Sequence, residues 1–143
     1  VLPPVVGAIA EIAKRHQISF AGKHVVVLGA GRLVGKPAAA WARAQGGTVT
    51  VVDKDTPQPA DEIRQADILI TGVGKPGLVT PEMVKPNVVV FDAGTSEAGG
   101  QLVGDVDPRV GETAALYTPV PGGIGPVTVA CLFANLLTLA KQT

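Results

Sequence analysis

A glycine-rich turn between an apolar strand and a helix sets the strongest limit on how this chain can fold. Residues 24–35 read HVVVLGAGRLVG, and the alanine-rich residues 36–44 that follow have high helix propensity. An uncharged, β-branched run before the glycines is typical of a strand buried on both faces of a parallel sheet. With glycines at Gly29, Gly31 and Gly35, backbone N–H groups and a helix N-terminus can approach a pyrophosphate. The pattern predicts a dinucleotide-binding turn. A tight structural turn is the alternative, because the spacing G-x-G-x-x-x-G is one residue longer than the usual fingerprint.

A second strand is predicted about 20 residues further on, where dinucleotide-binding folds place the residue that meets the adenosine ribose. Residues 48–52 read TVTVV, and Asp53 follows them. A carboxylate at this position accepts hydrogen bonds from the ribose 2′-OH and repels a 2′-phosphate, which favours NAD over NADP. Lys54 would instead attract that phosphate, and a solvated turn residue is the other interpretation of Asp53.

The composition narrows the class of protein. With 143 residues and 46% hydrophobic side chains, the chain suits one domain with a real core. A formal net charge of zero without a basic stripe argues against nucleic acid as a partner. The single cysteine, Cys131, lies in an apolar run, which excludes a disulfide framework and fits a reducing cytoplasm. We expect no membrane partner, on the interpretation that no apolar run reaches the ~18 residues of a membrane span.

Apolar periodicity and turn residues predict helices that alternate with strands along the chain. This alternation indicates an α/β fold, a doubly wound parallel sheet flanked by helices. The loops at residues 29–35, 72–77, 94–95 and 118–128 all follow predicted strands. They should therefore meet at the carboxyl edge of the sheet, where open α/β sheets bind ligands. The predicted helices are residues 5–15, 36–44, 57–65 and 129–141, and the predicted strands are residues 24–28, 48–52, 66–71, 87–92 and 114–117, with a hairpin turn at Gly99 and Gly100.

The loop at residues 118–128, TPVPGGIGPVT, is the most unusual stretch. Its prolines fix φ, its adjacent glycines adopt conformations that other residues avoid, and Pro126 suits the first turn of a following helix. A loop with so few conformations can present its backbone to a ligand with little entropy left to lose. The alternative is a stiff structural connection.

This loop also carries a resemblance to a known family. Residues 117–128 closely resemble the C-terminal signature of the bifunctional methylenetetrahydrofolate dehydrogenase/cyclohydrolase family. Residues 29–37, 67–77, 91–94 and 103–107 match motifs of the same family in the same order. The resemblance covers essentially the whole chain, but only the family's cofactor-binding domain.

The resemblance implies a Rossmann-like fold that binds NAD or NADP. It implies phosphate contacts at Gly29, Ala30 and Gly31, and a place beside the nicotinamide for Thr95. In the full-length family the reaction is hydride transfer from 5,10-methylenetetrahydrofolate to NAD(P), followed by hydrolysis of the methenyl product to 10-formyltetrahydrofolate. Residues 119–123 would border the nicotinamide and the folate cleft. The predicted cofactor-binding residues are Gly29, Ala30, Gly31, Arg32, Val34, Gly35, Asp53, Lys54, Val73, Gly74, Lys75, Gly94, Thr95, Pro119, Gly122, Gly123 and Thr128.

The sequence departs from the family at three places. An Arg-Ser or similar pair that typically contacts phosphate is replaced by Ala30 and Gly31, with Arg32 one step later. The sequence after the second strand, usually of the type His-Ser-Arg/Lys-Thr, is here DKDT at residues 53–56. Both changes favour NAD. The hinge motif Pro-Cys-Thr-Pro-x-Gly is largely absent from residues 3–8, which read PPVVGA.

The catalytic lysine of the family, with its nearby tyrosine, belongs to a preceding folate-binding domain, and no Tyr-x-x-x-Lys occurs here. We therefore predict one NAD(P)-binding domain at residues 1–143, with a helix within residues 1–20 at the hinge to that domain. The chain begins with Val1 and its one methionine is Met83, which indicates a processed chain or part of a longer one. We expect it to bind cofactor and catalyse nothing alone. The alternatives are a dehydrogenase domain for another substrate and a non-catalytic dinucleotide-binding module.

No catalytic or metal-binding constellation is predicted. His16 and His24 are lone histidines and are interpreted as structural, and Asp105 and Asp107 as residues that order loops. The last predicted helix is apolar nearly all round, so it should be buried by the sheet, the preceding domain or a second subunit. The resemblance further implies a tetrahydrofolate derivative bound through the preceding domain, a homodimer of the full-length protein and a cytoplasmic location.

Overall fold

The computed structural model describes residues 2–141, which form a five-stranded parallel sheet between layers of helices and a separate two-stranded hairpin. The predicted α/β, Rossmann-like fold is confirmed. The helices are α1 (Pro4–Arg15), α2 (Gly35–Ala44), α3 (Pro59–Arg64) and α4 (Ile124–Lys141), with 3₁₀ helices at Pro81–Met83 and Pro108–Glu112; the strands are β1 (His24–Leu28), β2 (Thr48–Val52), β3 (Ile68–Thr71), β4 (Val89–Asp92), β5 (Ser96–Ala98), β6 (Gln101–Val103) and β7 (Leu116–Tyr117).

The strand order in the sheet is β2-β1-β3-β4-β7, and every pairing is parallel. From β1 the chain passes outward to β2, then returns to form β3 on the other side of β1. The strand order therefore reverses between β1 and β3, and ligands of open α/β sheets bind at such a reversal. The predicted loops after β1, β3, β4 and β7 meet at the same carboxyl edge.

The core consists of two apolar layers, one on each face of the sheet. Alternate strand residues such as Val27 and Phe91 pack with α1, α2 and α4 on one face. Residues of the opposite parity, such as Val26 and Val90, pack with Ile63 of α3 and the 3₁₀ segments on the other face. Strands buried on both faces explain why their sequences are continuous apolar runs.

Several predicted bounds differ from the structure: β3, β4 and β7 each begin two residues later than predicted, and two helices differ as well. Helix α4 begins at Ile124 and not at residue 129, so the loop predicted at residues 118–128 ends at residue 123. Pro126 lies in the first turn of α4, as predicted, where its missing N–H has no intrahelical partner to lose. The predicted helix at residues 57–65 is shorter, because Gln58 before it has a φ of 49°, which is not a helical value.

The outer surface of α4 contradicts one expectation and leaves another untested. The helix has 18 residues with Lys141 as its only charged residue, so it is long and apolar enough to span a membrane by length and composition. The interpretation that no apolar run reaches that length is therefore wrong. Ile124 is the buried residue of the helix within residues 2–141, so the sheet of this chain does not cover the helix, and the expected burial by the preceding domain or a second subunit stays a prediction. The large exposed side chains of α4 are Val129, Leu132, Phe133, Leu136, Leu137 and Leu139.

One side of α4 packs on α1. A side-chain carbon added at Gly7 of α1 would lie 3.4 Å from Cys131 Sγ, so the two helices approach closely here. Asn135 Nδ2 donates a hydrogen bond to the carbonyl of Leu2 at 2.8 Å. Cys131, which we interpreted as buried, is half-buried in this contact. The amino-terminal helix and α4 therefore form one layer beside the sheet.

Candidate functional site

The glycine turn after β1 leaves the start of α2 open. Gly29 has a φ of 101° and donates its N–H to Val52 O at 2.8 Å, which ties the turn to β2. The residue before α2, Val34, provides no side-chain cap, and the first turn of α2 contains no acidic residue. In α2, Lys36 N donates to Gly31 O at 2.9 Å and Pro37 has no N–H, so among the described residues Gly35 N is the N–H of the first three helical residues that is left to bind an anion.

The three glycines of the turn have different structural roles. A Cβ at Gly35 would lie 2.0 Å from Gly29 O, so α2 packs against the turn backbone. At Gly29 the positive φ disfavours other residues. A Cβ at Gly31 would meet no atom within 4 Å, so this position faces open space. Gly31 is thus the glycine whose small size a ligand could use.

A first cavity, of about 700 Å³, lies between the turn, the end of β2 and α3. Asp53 stands at its rim, where Asp53 Oδ1 accepts hydrogen bonds from Asp55 N at 2.9 Å and Thr56 Oγ1 at 3.2 Å. Asp53 Oδ2 accepts none from residues 2–141, so one oxygen of an oriented carboxylate is available. The lining residues are Leu28, Gly29, Ala30, Val52, Asp53, Lys54, Asp55, Thr56, Pro59, Ala60, Ile63, Val73, Lys75, Leu78 and Met83.

A second cavity, of about 340 Å³, lies on the other side of the turn. It shares Val73 with the first cavity, so the two lie on either side of the turn and form adjacent compartments along the carboxyl edge. The first is predominantly apolar in lining, whereas the second is bordered mainly by backbone and small residues. The lining residues are Gly31, Arg32, Leu33, Val34, Gly72, Val73, Gly74, Ala93, Gly94 and Thr95.

The structure brings together most, but not all, of the predicted site residues. Those in the first cavity are Gly29, Ala30, Asp53, Lys54, Val73 and Lys75, and those in the second are Gly31, Arg32, Val34, Val73, Gly74, Gly94 and Thr95. Gly35, Pro119, Gly122, Gly123 and Thr128 line neither cavity. Sequence reasoning missed the apolar floor of the first cavity, which Ile63, Leu78 and Met83 provide from three separate segments.

The loop at residues 118–123 packs beside the end of β4. Thr118 Oγ1 accepts a hydrogen bond from Asp92 N at 2.8 Å, and Gly123 N donates to Pro119 O at 2.8 Å. A Cβ at Gly123 would lie 2.5 Å from Pro119 O, so the loop is closed on itself. Thr128 Oγ1 is buried without a hydrogen-bond partner among the described residues. These contacts are those of a stiff loop.

Asp105 holds the loop that follows β3. Its carboxylate accepts hydrogen bonds from three successive backbone N–H groups, Val73 at 2.8 Å, Gly74 at 2.9 Å and Lys75 at 2.8 Å. Asp105 itself is fully buried. The interpretation of Asp105 as a loop-ordering residue is confirmed. Asp107 also orders its surroundings, because it accepts the N–H of Arg109 at the start of a 3₁₀ helix.

Asp92, at the end of β4, joins the other segments of this edge. It accepts hydrogen bonds from Thr71 Oγ1, Gly94 N and Asp105 N at 3.0, 3.0 and 3.2 Å, and from Val106 N at 3.0 Å. Burial raises the pKa of the Asp92 carboxyl, whereas the N–H groups of Val106 and Asp105 act in the opposite direction. Sequence analysis missed this role. The available signal was a polar residue that ends each of two buried strands.

The two histidines lie away from both cavities. His16 follows the last turn of α1, and His24 begins β1 at the amino edge of the sheet. Within residues 2–141, no group of three or more His, Cys, Asp or Glu residues is arranged to hold a metal ion.

Comparisons with known proteins agree with this geometry. Residues 3–143 match the family described as "Tetrahydrofolate dehydrogenase/cyclohydrolase, NAD(P)-binding domain". The bifunctional protein FolD of Thermomicrobium roseum is 49% identical over 129 residues, which cover 90% of this chain and 45% of that protein. The chain thus spans about half the length of the relatives it matches.

Two solved structures share the fold closely. The bifunctional enzyme FolD of Campylobacter jejuni, a methylenetetrahydrofolate dehydrogenase/cyclohydrolase, superposes with a TM-score of 0.95 at 37% identity, over 99% of this chain and 51% of that chain. The Trypanosoma brucei enzyme, solved with NADP and an inhibitor, gives 0.92 at 41% identity, over 99% and 51%. The chain belongs to the family of tetrahydrofolate dehydrogenase/cyclohydrolase NAD(P)-binding domains.

Proposed function

We propose that this chain is the NAD-binding half of an enzyme that oxidises 5,10-methylenetetrahydrofolate and hydrolyses the methenyl product to 10-formyltetrahydrofolate. The observation that carries the proposal is the pair of cavities on either side of the glycine turn, at the uncapped start of α2. When bound, the nicotinamide accepts the hydride. The residues of this chain bind and orient the cofactor, and the catalytic lysine comes from a second domain.

The two cavities suit the two halves of a dinucleotide. The apolar floor of the first, from Ile63, Leu78 and Met83, can cover an adenine ring, and Asp53 at its rim can accept the ribose hydroxyls. The pyrophosphate would cross the turn at Gly31, where no side chain blocks it and where Gly35 N at the start of α2 has no acceptor among residues 2–141. The nicotinamide half would lie in the second cavity, beside Gly94 and Thr95. Pro119, Gly122, Gly123 and Thr128 are proposed to border the far side of that cavity once a folate substrate is bound.

The position of Asp53 at the first cavity favours NAD over NADP. The charged residues of the lining balance, with two carboxylates, Asp53 and Asp55, and two ammonium groups, Lys54 and Lys75. The preference therefore rests on Asp53 at the end of β2, whose carboxylate would accept a ribose hydroxyl and repel a 2′-phosphate. Ala30, at the turn, offers no cation to offset this.

Calorimetric titration with NAD and NADP tests the proposal. We expect the wild-type chain to bind NAD at least about tenfold more tightly than NADP, which corresponds to ~1.4 kcal/mol. Asp53→Asn keeps the Oδ1 acceptor and removes the charge, so it should narrow the difference. Glu97→Gln, on the exposed hairpin away from both cavities, is the matched control and should leave both affinities unchanged. Tighter binding of NADP by the wild type, or an unchanged ratio in Asp53→Asn, contradicts the NAD preference.

We further propose that the exposed face of α4, together with α1 at the hinge, packs against the folate-binding domain. Six large apolar side chains on one helix form a surface that soluble proteins rarely leave exposed. The relatives are about twice as long as this chain, so a second domain of the same polypeptide is available to cover it. Residues 1–143 would then be one domain of a cytoplasmic homodimer that binds a tetrahydrofolate derivative.

The intact mass of the native protein and the coding sequence upstream of Val1 test the domain proposal. We expect a protein of about twice this length, with a tyrosine and lysine spaced as Tyr-x-x-x-Lys in the upstream half. That protein should reduce NAD with 5,10-methylenetetrahydrofolate, whereas this chain alone should bind NAD without turnover. Translation that begins at Val1, or binding of the exposed face to lipid vesicles in the intact protein, would contradict the domain proposal.

A further inference from the structure

We infer that Asp105 is a positioning residue for the dinucleotide, because its buried carboxylate fixes the backbone of residues 73–75, which lines both cavities. The inference rests on the proposed function in so far as the ligand is NAD. It concerns a side chain that lines neither cavity and would touch no part of the cofactor.

Both carboxylate oxygens of Asp105 take part in the contact with this backbone. Oδ1 accepts the N–H groups of Gly74 and Lys75, and Oδ2 accepts that of Val73, all at 2.8 to 2.9 Å. Among residues 2–141 Asp105 forms no ion pair. The three converging amide dipoles therefore stabilise the carboxylate in place of a cation.

The loop would have no comparable support without Asp105. Val73, Gly74 and Lys75 are all exposed, and Gly74 has a φ of 82°. Exposed residues contribute little apolar burial to hold a conformation, so polar contacts decide the shape of such a segment. Among the described residues, the one other hydrogen bond of the backbone of residues 73–75 is that from Leu78 N to Lys75 O at 3.3 Å. The carboxylate is thus the main restraint on a wall shared by the two cavities.

The fold makes room for this carboxylate beside the second cavity. A Cβ at Gly94 would lie 2.1 Å from Asp105 Oδ1, so the missing side chain of Gly94 is what admits the Asp105 carboxylate. Gly94 itself lines the second cavity. Asp105 N and Gly94 N both donate to Asp92 Oδ1, at 3.2 and 3.0 Å. Two of the three segments that line the second cavity, residues 72–74 and 93–95, are therefore held by one buried cluster.

Asp105→Asn tests the inference, with Asp107→Asn as the matched control. In the wild type, both carboxylate oxygens of Asp105 accept backbone N–H groups. An asparagine replaces one of these oxygens with an NH₂ group, so at least one backbone N–H donor would face another donor. Asp107 is also a carboxylate with backbone and side-chain hydrogen bonds, but it serves a 3₁₀ helix outside both cavities. We expect Asp105→Asn to weaken NAD binding by about tenfold or more, the effect of losing one hydrogen bond to a charged group. Asp107→Asn should bind NAD as the wild type does.

Amide hydrogen exchange without ligand provides the readout that general destabilisation would not produce. In the wild type the amides of Val73, Gly74 and Lys75 should be protected although the residues are exposed. In Asp105→Asn these three amides should exchange faster, by about tenfold or more, while Val26 in the sheet keeps its protection. If Asp105→Asn does not fold, amide exchange in the wild type still tests the inference. Unprotected amides at residues 73–75 of the wild type would overturn it.

The remaining outcomes separate the inference from the proposed function. Unchanged NAD affinity in a folded Asp105→Asn variant whose three amides have lost protection overturns the positioning role. An equal loss of protection in the sheet and the loop overturns it as well. If the wild type binds no NAD, the proposed function fails, whereas protection at residues 73–75 reports on the Asp105 contact independently.

Discussion

The carboxyl edge of the sheet and the outer face of α4 differ in whether their side chains find partners within this chain. At the carboxyl edge, two fully or almost fully buried carboxylates, Asp92 and Asp105, each have several hydrogen-bond donors. On α4, large apolar residues such as Phe133 and Leu137 are 62% and 64% exposed. In the first region the two buried carboxylates have their partners within residues 2–141. In the second region the apolar side chains are not covered by these residues.

This difference between the two regions indicates which of the proposed functions, cofactor binding or catalysis, this domain could perform alone. Burying a carboxylate without partners is costly, so a satisfied pair at a cavity wall indicates a region built to keep one shape in this domain alone. Apolar side chains in water gain free energy only when another surface covers them. We therefore expect this domain to bind the cofactor by itself, whereas catalysis should require the second domain that is proposed to cover α4.

The largest difference in stability is expected when the same residue type is replaced in the buried core and on the exposed face of α4. Phe91→Ala removes a fully buried ring from the core and should lower the free energy of unfolding by about 3–5 kcal/mol. Phe133→Ala on α4 should change it by less than ~0.5 kcal/mol in this chain. Urea unfolding of both variants measures the contrast. Similar losses would show that α4 is already packed, and in a protein with both domains we expect Phe133→Ala to become costly.

A smaller test separates packing from ligand access within the glycine turn. Gly35→Ala places a carbon 2.0 Å from Gly29 O and should cost about 1–3 kcal/mol of stability through backbone displacement. Gly31→Ala meets no atom within 4 Å, so the melting temperature should stay at the wild-type value while NAD binding weakens. Thermal unfolding and calorimetric titration of both variants check this. Full NAD affinity in Gly31→Ala would place the pyrophosphate elsewhere.

The smallest effect is expected at the amino edge of the sheet, where Lys85 pairs with Asp67 in a partly exposed position. The hydrogen bond from Lys85, with a smaller one from His24 N, holds the pKa of the Asp67 carboxyl below its ordinary value of 3.8. A lowered folded-state pKa stabilises the fold above pH 3.8, and the stabilisation is lost as the pH falls through the folded-state pKa. Lys85→Met should cost less than ~1 kcal/mol at neutral pH and nothing below that pKa. A loss that persists in acid would point to packing of the Lys85 side chain instead.

The sequence was sufficient for local features and insufficient for those that join distant segments. The strand, turn and helix at residues 24–44 follow from a local pattern of β-branched residues, glycines and alanines, and the structure agrees. The Thr71–Asp92 hydrogen bond depends on a register that pairs these residues across β3 and β4, which no local pattern specifies. Asp105 was identified as a loop-ordering residue, but which loop it orders required the fold.

The errors in α4 have a physical reason as well. The Gly-Ile-Gly-Pro sequence at residues 123–126 predicts a loop because glycine and proline disfavour helix interiors. They are tolerated in the first turn, where N–H groups have no acceptor in any case. Which surface covers the helix could not be predicted from the sequence, because an apolar helix indicates burial without specifying the surface that buries it.

Titration of the isotope-labelled chain with NAD, followed by amide NMR shifts, tests the central claim most directly. We predict that shifts cluster at residues 29–35, 53–56, 73–75 and 93–95, on both sides of the glycine turn. The exposed face of α4 should not respond, nor should a further cavity at the amino edge of the sheet, which Lys23 and Lys85 help to line. A folded chain whose amides do not shift with NAD, or shift mainly at the amino edge, would contradict the account.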